Sequence, residues 1–89
     1  MSVRVTMYAT AFCPFCVMAE RLLQRKGVAI DKIRVDLEPQ RRVEMIERTR
    51  RRTVPQIYIG EVHVGGYDDL SMLERTGALD SLLAGAAKT

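Results

Sequence analysis

The sequence is poor in cysteine and histidine, with two cysteines and one histidine among its 89 residues. A secreted disulfide scaffold would need more cysteines. A structural zinc site would need four ligands, and the chain has no second C-x-x-C pair. Covalent heme attachment would need a histidine directly after the second cysteine, where Val17 stands. These absences argue against all three classes of protein.

Long apolar runs are also missing, since no stretch approaches the roughly 20 residues that span a bilayer. The chain begins without a cationic segment followed by a long apolar run, which is the pattern of a secretory signal. We therefore expect no membrane association and a cytoplasmic location. The net charge of +3 comes from basic residues that are mostly interleaved with acidic ones, so nucleic-acid binding is not expected.

Glycine and proline are few, with 6 and 3 residues, and the chain has no repeats or low-complexity segments. A content of 47% hydrophobic and 28% charged residues is typical of a globular protein. A chain of this length cannot be divided into two stable cores. Residues 1–89 are therefore expected to form a single domain.

The two cysteines lie together in the motif Cys-Pro-Phe-Cys at residues 13–16. A strand pattern at residues 3–8 precedes this motif, and a helix pattern at residues 15–26 follows it. Proline suits the first position of a helix, so Pro14 predicts that Cys13 lies at the helix N-cap.

A helix N-terminus favours a thiolate, because unpaired N–H groups and the positive end of the helix dipole stabilise the sulfur anion. The spacing also keeps Cys16 within reach, so that it could resolve a mixed disulfide formed at Cys13. Cys16 is predicted to be the more buried of the two. These features favour a redox site over a zinc site or a purely structural thiol pair.

The remaining patterns give the order β-α-β-α-β-β-α, with a parallel β-α-β half and a hairpin half in one mixed sheet. A strand at residues 32–36 is polar on one side, which favours the edge of the sheet. A helix begins at Pro39 and is predicted to run to about Arg50, and residues 79–83 suggest one last short helix before a tail of small residues. The residues predicted to face the core in these helices, or to fill it, include Phe15, Met18, Ala19, Leu22, Leu23, Val43, Met45, Ile46, Met72 and, from the first strand, Met7.

Three segments resemble one family: residues 13–16, Thr-Val-Pro-Gln-Ile-Tyr-Ile at residues 53–59, and Gly-Gly-Tyr-Asp-Asp-Leu at residues 65–70. In their order and spacing they are similar to dithiol glutaredoxins, and most to the small bacterial glutaredoxin 3 type. The resemblance covers nearly the whole chain. It implies a thioredoxin fold, with a four-stranded mixed sheet flanked by helices.

The same resemblance implies roles for individual residues. Cys13 would be the nucleophile and Cys16 the resolving thiol. Pro55 would follow a cis peptide bond, and Val54 would offer its backbone to the cysteinyl part of glutathione. The residues that would bind glutathione are Phe15, Arg52, Thr53, Val54, Pro55, Gly66, Tyr67, Asp68 and Asp69.

Two of these assignments have simpler alternatives. Backbone N–H groups at residues 65–69 and the carboxylate of Asp68 or Asp69 could hold the γ-glutamyl end of glutathione. On its own the segment could equally be an ordinary helix start, but beside the other two motifs the ligand site is favoured. Arg52, and after it Arg51, could meet the glycyl carboxylate. A basic run here is more usually a solvated helix end.

The resemblance implies a glutathione-dependent thiol-disulfide oxidoreductase that reduces protein disulfides and protein-glutathione mixed disulfides. Glutathione would be its reductant, with no metal. Its partners would be disulfide-containing or glutathionylated proteins, and ribonucleotide reductase is one candidate. The protein would be a monomer. The alternatives are a redoxin reduced by thioredoxin reductase and an iron-sulfur cluster carrier, which Pro14 disfavours.

The chain departs from the family pattern just before the nucleophile. Thr10 stands where many glutaredoxins have a lysine, and Ala11 and Phe12 replace residues that are commonly polar. Without that lysine, we expect the thiolate of Cys13 to depend more on backbone N–H groups.

Overall fold

The computed structural model describes residues 3–85, which form four strands and four helices. Their order confirms the predicted one and includes the last short helix. None of the helices within this range has the length and apolar character needed to span a bilayer. The tail predicted after the last helix lies, at residues 86–89, outside the described residues. The elements are β1 (Val5–Ala9), α1 (Pro14–Arg25), β2 (Ile30–Arg34), α2 (Pro39–Thr49), β3 (Gln56–Ile59), β4 (Val62–Gly65), α3 (Tyr67–Thr76) and α4 (Ala78–Leu83).

The strands form one mixed sheet in the order β2-β1-β3-β4. β1 is parallel to β2, with Val5 opposite Ile30, and antiparallel to β3, with Val5 opposite Ile59. The hairpin between β3 and β4 turns at Gly60, whose φ of +60° lies in the region that glycine adopts without strain. β2 lies at an edge of the sheet, as its polar side predicted.

Side chains on the two faces of the sheet alternate, and helices cover both faces. One face packs against α1, α3 and α4 in a cluster of apolar residues: Val5, Met7, Ala9, Cys16, Ala19, Leu22, Leu23, Ile57, Ile59, Leu70, Leu79 and Leu83. The other face packs against α2, and its buried residues are Tyr8, Ile33, Val35, Met45 and Tyr58. The architecture implied by the resemblance is therefore confirmed.

Some residues predicted to face the core are exposed. The side chains of Met18, Val43 and Met72 are 44%, 55% and 52% exposed, so placing them in the core was wrong. The helices are buried along narrow stripes, and in α2 only Met45 and Thr49 among the helix residues are buried. An apolar residue one position away from such a stripe therefore faces solvent. Phe15 is also exposed, because it lies in the first turn of α1.

The contact between α2 and the sheet includes polar groups. The hydroxyl of buried Tyr8 donates a hydrogen bond to the Glu44 carboxylate, and Arg48 Nη1 donates to the same hydroxyl at 3.1 Å. The Arg48 guanidinium lies 3.8 Å above the centre of the Tyr58 ring. Burial, together with the hydrogen bond to Glu44, raises the pKa of Tyr8.

Candidate functional site

The cysteine motif lies where β1 leads into α1. Cys13 is the N-cap of α1 and Pro14 is its first residue, as predicted. The Cys16 N–H donates to Cys13 Sγ at 3.1 Å, and the Val17 N–H donates to the Cys13 carbonyl at 3.1 Å. The sulfur of Cys13 therefore receives a backbone hydrogen bond of the kind that stabilises a thiolate.

The two cysteines differ in exposure. Their sulfurs are joined as a disulfide, with the Cα atoms 5.2 Å apart. Cys16 is 4% exposed and belongs to the apolar cluster under α1, whereas Cys13 is partly exposed. An external disulfide can therefore approach Cys13, and Cys16 lies behind it. The predicted difference in exposure is confirmed.

The segment before β3 lies beside Cys13. The peptide bond between Val54 and Pro55 is cis, and Cys13 Sγ lies 3.9 Å from the Val54 carbonyl oxygen. Pro55 is buried, and Thr53 is exposed. The Val54 backbone is thereby held next to the sulfur, where an extended ligand could pair with it.

A buried side chain supports this segment from behind. Gln56 is fully buried, and its Nε2 donates to the Thr53 carbonyl at 3.0 Å and to Thr53 Oγ1 at 3.3 Å. Its Oε1 faces His63 Nε2 at 2.8 Å, so this ring nitrogen carries the proton. The His63 ring stacks on Tyr58 with 5.0 Å between centroids, and burial lowers the pKa of His63.

No role for Gln56 was predicted from the sequence. The available signal was a polar residue within an otherwise apolar strand pattern, because a buried amide needs partners for both of its ends. His63 lies on edge strand β4.

Opposite this segment, α3 begins at Tyr67, directly after β4. The Asp69 carboxylate accepts a hydrogen bond from the Gly66 N–H at 3.0 Å and lies 3.1 Å from Arg51 Nη1. These two donors, with Gly66 the stronger, lower the pKa of Asp69. Gly65 has a φ of +114°, and a β-carbon there would overlap the Asp69 carboxylate, so this position requires glycine.

Two aromatic rings connect α1 and α3 at this end of the molecule. The rings of Phe15 and Tyr67 stack with 6.2 Å between centroids. Both side chains border a cleft of about 340 Å³, which is within the size range of small-molecule sites. The residues that line the cleft are Phe15, Arg51, Thr53, Val54, Pro55, Gly66, Tyr67, Asp68 and Asp69.

The cleft thus brings together every residue expected to bind glutathione except Arg52. Arg51 lines it instead. Arg50 ends α2 with a φ of +62°, and Thr49 Oγ1 then accepts a hydrogen bond from the Arg51 N–H at 3.0 Å. This turn directs Arg51 toward Asp69, while the exposed Arg52 has its carbonyl 3.5 Å from Arg42 Nη2.

The loop before Cys13 is attached to the connection that follows edge strand β2. The Ala11 N–H donates to Asp36 Oδ2 at 3.1 Å, and Asp36 pairs with Arg34 at 2.7 Å. The Arg34 guanidinium holds the pKa of Asp36 well below its usual range. Phe12 follows with a φ of +53° and a fully exposed side chain. Thr10 is partly buried.

The site therefore has one accessible sulfur and one sheltered sulfur beside a cleft that carries both a cation and carboxylates. Among residues 3–85, no three His, Cys, Asp or Glu side chains are grouped so as to hold a metal ion. The arrangement is suited to thiol-disulfide exchange with a ligand that has charged ends.

Comparisons with known proteins agree with this chemistry. The family model described as Glutaredoxin matches residues 5–64. A glutaredoxin of Pseudomonas aeruginosa is 54% identical over 80 residues, which cover 90% of this chain and 95% of the relative. Glutaredoxin 3 of Escherichia coli K12 is 46% identical over 79 residues, covering 89% and 95% of the two chains.

Solved structures give the same result. The solution structure of a glutaredoxin from Brucella melitensis has a TM-score of 0.82 and 51% identity, with 92% of this chain and 89% of that chain covered. The crystal structure of a buckwheat glutaredoxin-glutathione complex has a TM-score of 0.87 and 25% identity, with 96% and 80% covered.

Proposed function

This chain belongs to the glutaredoxin family, and on that premise we propose that it is a glutathione-dependent thiol-disulfide oxidoreductase. Its substrates are protein disulfides and protein-glutathione mixed disulfides. The observation that carries the proposal is the partly exposed sulfur of Cys13 at the N-cap of α1, beside a cleft with a cation and carboxylates. Family membership supports the redox role of the cysteine pair, and the cleft supports glutathione.

Glutathione is an extended tripeptide with a zwitterionic γ-glutamyl end and a glycyl carboxylate. We place its cysteinyl backbone against Val54, so that its sulfur meets Cys13. The first-turn N–H groups of α3 would hold the γ-glutamyl carboxylate, and Asp68 or Asp69 its amino group. Arg51, which lines the cleft, is better placed than Arg52 for the glycyl carboxylate. The buckwheat relative crystallised with glutathione supports this choice of ligand.

With a glutathionylated protein, the Cys13 thiolate attacks the glutathione sulfur. A bond forms between Cys13 and glutathione, the mixed disulfide breaks, and the protein thiolate leaves. A second glutathione thiolate then attacks the bound glutathione sulfur, which releases glutathione disulfide and restores the Cys13 thiolate. One free glutathione is consumed in each turnover, and the other half of the glutathione disulfide comes from the substrate.

With a protein disulfide, Cys13 forms a mixed disulfide with one substrate sulfur and the other leaves as a thiolate. Cys16 then attacks the Cys13 sulfur, which frees the second substrate thiolate and leaves a Cys13-Cys16 disulfide. Two glutathione molecules reduce that disulfide in turn, and glutathione disulfide is the product.

The test is a coupled assay with glutathione, glutathione reductase and NADPH, run on a glutathionylated protein and on a protein disulfide. Wild type should reduce both substrates, and Cys13→Ser should reduce neither. Cys16→Ser should reduce the glutathionylated protein but lose most activity on the protein disulfide, because only the second route uses Cys16. No turnover by wild type, or full turnover by Cys13→Ser, would refute the proposal.

Two further measurements address the two alternatives. Faster reduction of the oxidised protein by thioredoxin reductase than by glutathione would favour a thioredoxin-like donor, for example to ribonucleotide reductase. A coloured, iron-containing protein after anaerobic purification would favour a cluster carrier.

We further propose that residues 1–89 act as one monomeric domain in the cytoplasm. A dithiol that glutathione keeps reduced requires a reducing compartment, which supports that location. Sedimentation and cell fractionation would test these points.

A further inference from the structure

Phe12 is an aromatic residue placed directly before the nucleophile and left in solvent. The residue is fully exposed, and its backbone φ of +53° is uncommon for a bulky residue. A bulky residue in this conformation raises the question of function, because large apolar side chains are usually buried. Neither the core nor the cleft accounts for this side chain.

Phe12 is not among the residues that line the cleft. The residues lining the cleft come largely from the segments next to β3 and β4 and from the start of α3, whereas the loop of Phe12 follows β1. The hydrogen bond from the Ala11 N–H to Asp36 attaches this loop to the connection that follows β2. That connection also carries an exposed apolar residue, Leu37, which is 68% exposed.

The reaction brings a polypeptide to this place. When Cys13 forms a mixed disulfide, the Cα of the substrate cysteine lies about 4.4 to 6.8 Å from the Cα of Cys13. The Cα of Phe12 lies about 3.8 Å from the Cα of Cys13, as in any trans peptide. A residue flanking the substrate cysteine is therefore within reach of the Phe12 ring.

We propose that Phe12, together with Leu37 of the connection that the Ala11–Asp36 hydrogen bond attaches to its loop, is a docking surface for the polypeptide substrate and selects disulfides whose cysteine is flanked by apolar side chains. The inference rests on the proposed function in one respect, that Cys13 is the attacking thiol. It does not depend on glutathione, which would occupy the cleft that Phe12 does not line. The occupant is a polypeptide, because Cys13 becomes covalently joined to one during turnover.

The test uses two short peptides, each with a single cysteine in a mixed disulfide with thionitrobenzoate. Leucines flank the cysteine in one peptide and serines in the other. Thionitrobenzoate is the better leaving group, so Cys13 bonds to the peptide sulfur and coloured thionitrobenzoate is released as a thiolate, with no other reductant consumed. Cys16→Ser serves as the parent protein, because it limits the reaction to this one attack.

The second-order rate constant for the leucine peptide is divided by that for the serine peptide. This quotient is then divided by the same quotient measured with free glutathione as the nucleophile, and the result is the ratio compared between proteins. The parent should give a ratio of about ten, the effect of covering one leucine side chain with an aromatic ring. Phe12→Asn should bring it to within about twofold of one, because asparagine accepts positive φ but removes the ring. Phe12→Tyr should preserve the ratio, Leu37→Asn should lower it less than Phe12→Asn, and Val43→Asn, an exposed control on α2, should not change it.

A ratio near one in the parent, or a ratio that Phe12→Asn leaves unchanged, would overturn the inference. So would a ratio near one combined with concentration-dependent dimerisation that Phe12→Asn abolishes, since a second copy would then be the occupant. The two proposals can fail separately. A ratio of about ten in the parent, without glutathione-coupled turnover by wild type, would refute glutathione dependence alone. Turnover by wild type with a ratio near one in the parent would refute only the docking surface.

Discussion

The two faces of the sheet are packed in different ways. The face under α1, α3 and α4 is filled by aliphatic side chains with Cys16 among them. The face under α2 contains two tyrosines, and the hydroxyl of Tyr8 contacts Glu44 and Arg48. Apolar packing is insensitive to pH and has little directional preference, whereas hydrogen bonds to charged groups depend on ionisation.

The cysteine pair therefore lies on the face whose packing does not depend on pH. The helix that carries both cysteines is held by the apolar face, so its position should not vary with the protonation of its supports. The face under α2 tolerates titratable groups because no reacting atom lies on it. The two faces meet beside Pro55, where Arg51 after α2 pairs with Asp69 of α3.

The largest effect is expected on the apolar face. Leu23 is fully buried under α1, so Leu23→Ala should lower the free energy of unfolding by about 2 to 5 kcal/mol. Leu37→Ala is the matched control, since that leucine is exposed, and it should change stability by less than about 0.5 kcal/mol. Urea unfolding of both variants would measure this. Equal losses would contradict the assignment of the core.

On the other face, Tyr8→Phe should cost about 0.5 to 1.5 kcal/mol at neutral pH, because it removes the hydrogen bonds to Glu44 and Arg48. The pKa of Tyr8 is raised above its ordinary 10.0, so the unfolded chain loses this proton first. The stability of wild type relative to the variant should then fall as the pH rises above about 10. Unfolding at several pH values would check the trend, and a difference that grows with pH would be inconsistent with it.

The link between the faces should contribute less. The Arg51-Asp69 pair is about half exposed, so a double-mutant cycle with Arg51→Gln and Asp69→Asn should give a coupling of about 0.2 to 1 kcal/mol. The pKa of Asp69 is lowered from 3.8, so its contribution is present above that pH and is lost as the pH falls through the folded pKa. Measuring the cycle near neutral pH and at a series of falling pH values below 3.8, down to where the coupling stops changing, would test this. Coupling that persists in acid would argue against an ionic pair.

The smallest effect concerns the loop between β1 and α1, just before Cys13. Thr10→Lys restores a cation near Cys13 and should lower the pKa of its thiol by a few tenths of a unit, since the site is partly exposed to solvent. It should also tighten glutathione binding slightly. The thiolate absorbance of the reduced protein against pH, with Thr10→Gln as control, would measure the shift. No change in either quantity would mean that backbone N–H groups suffice.

Much of the architecture could be predicted because local and long-range signals agree. Pro14 fixed the start of α1 and placed Cys13 at its N-cap, and the polar side of β2 placed that strand at an edge. These features depend on residues adjacent in sequence, where sterics and hydrogen-bonding rules apply directly.

The choice between Arg51 and Arg52 could not be predicted, because it depends on a backbone turn. Arg50 adopts a left-handed conformation, so helical periodicity no longer tells which way the next side chains point. The exposure of Met18 and Met72 was missed for a related reason. Their apolar character is clear from the sequence, but the width of the surface that covers each helix depends on the packing of other elements.

The edge strand β2 has a consequence for how this protein meets other extended chains. Asp31 and Lys32 of this strand are exposed, and Asp31 pairs with Arg4 at 2.6 Å. Charges along an edge discourage another chain from extending the sheet, and this edge is only five residues long. This edge of the sheet therefore discourages another extended chain from pairing with it.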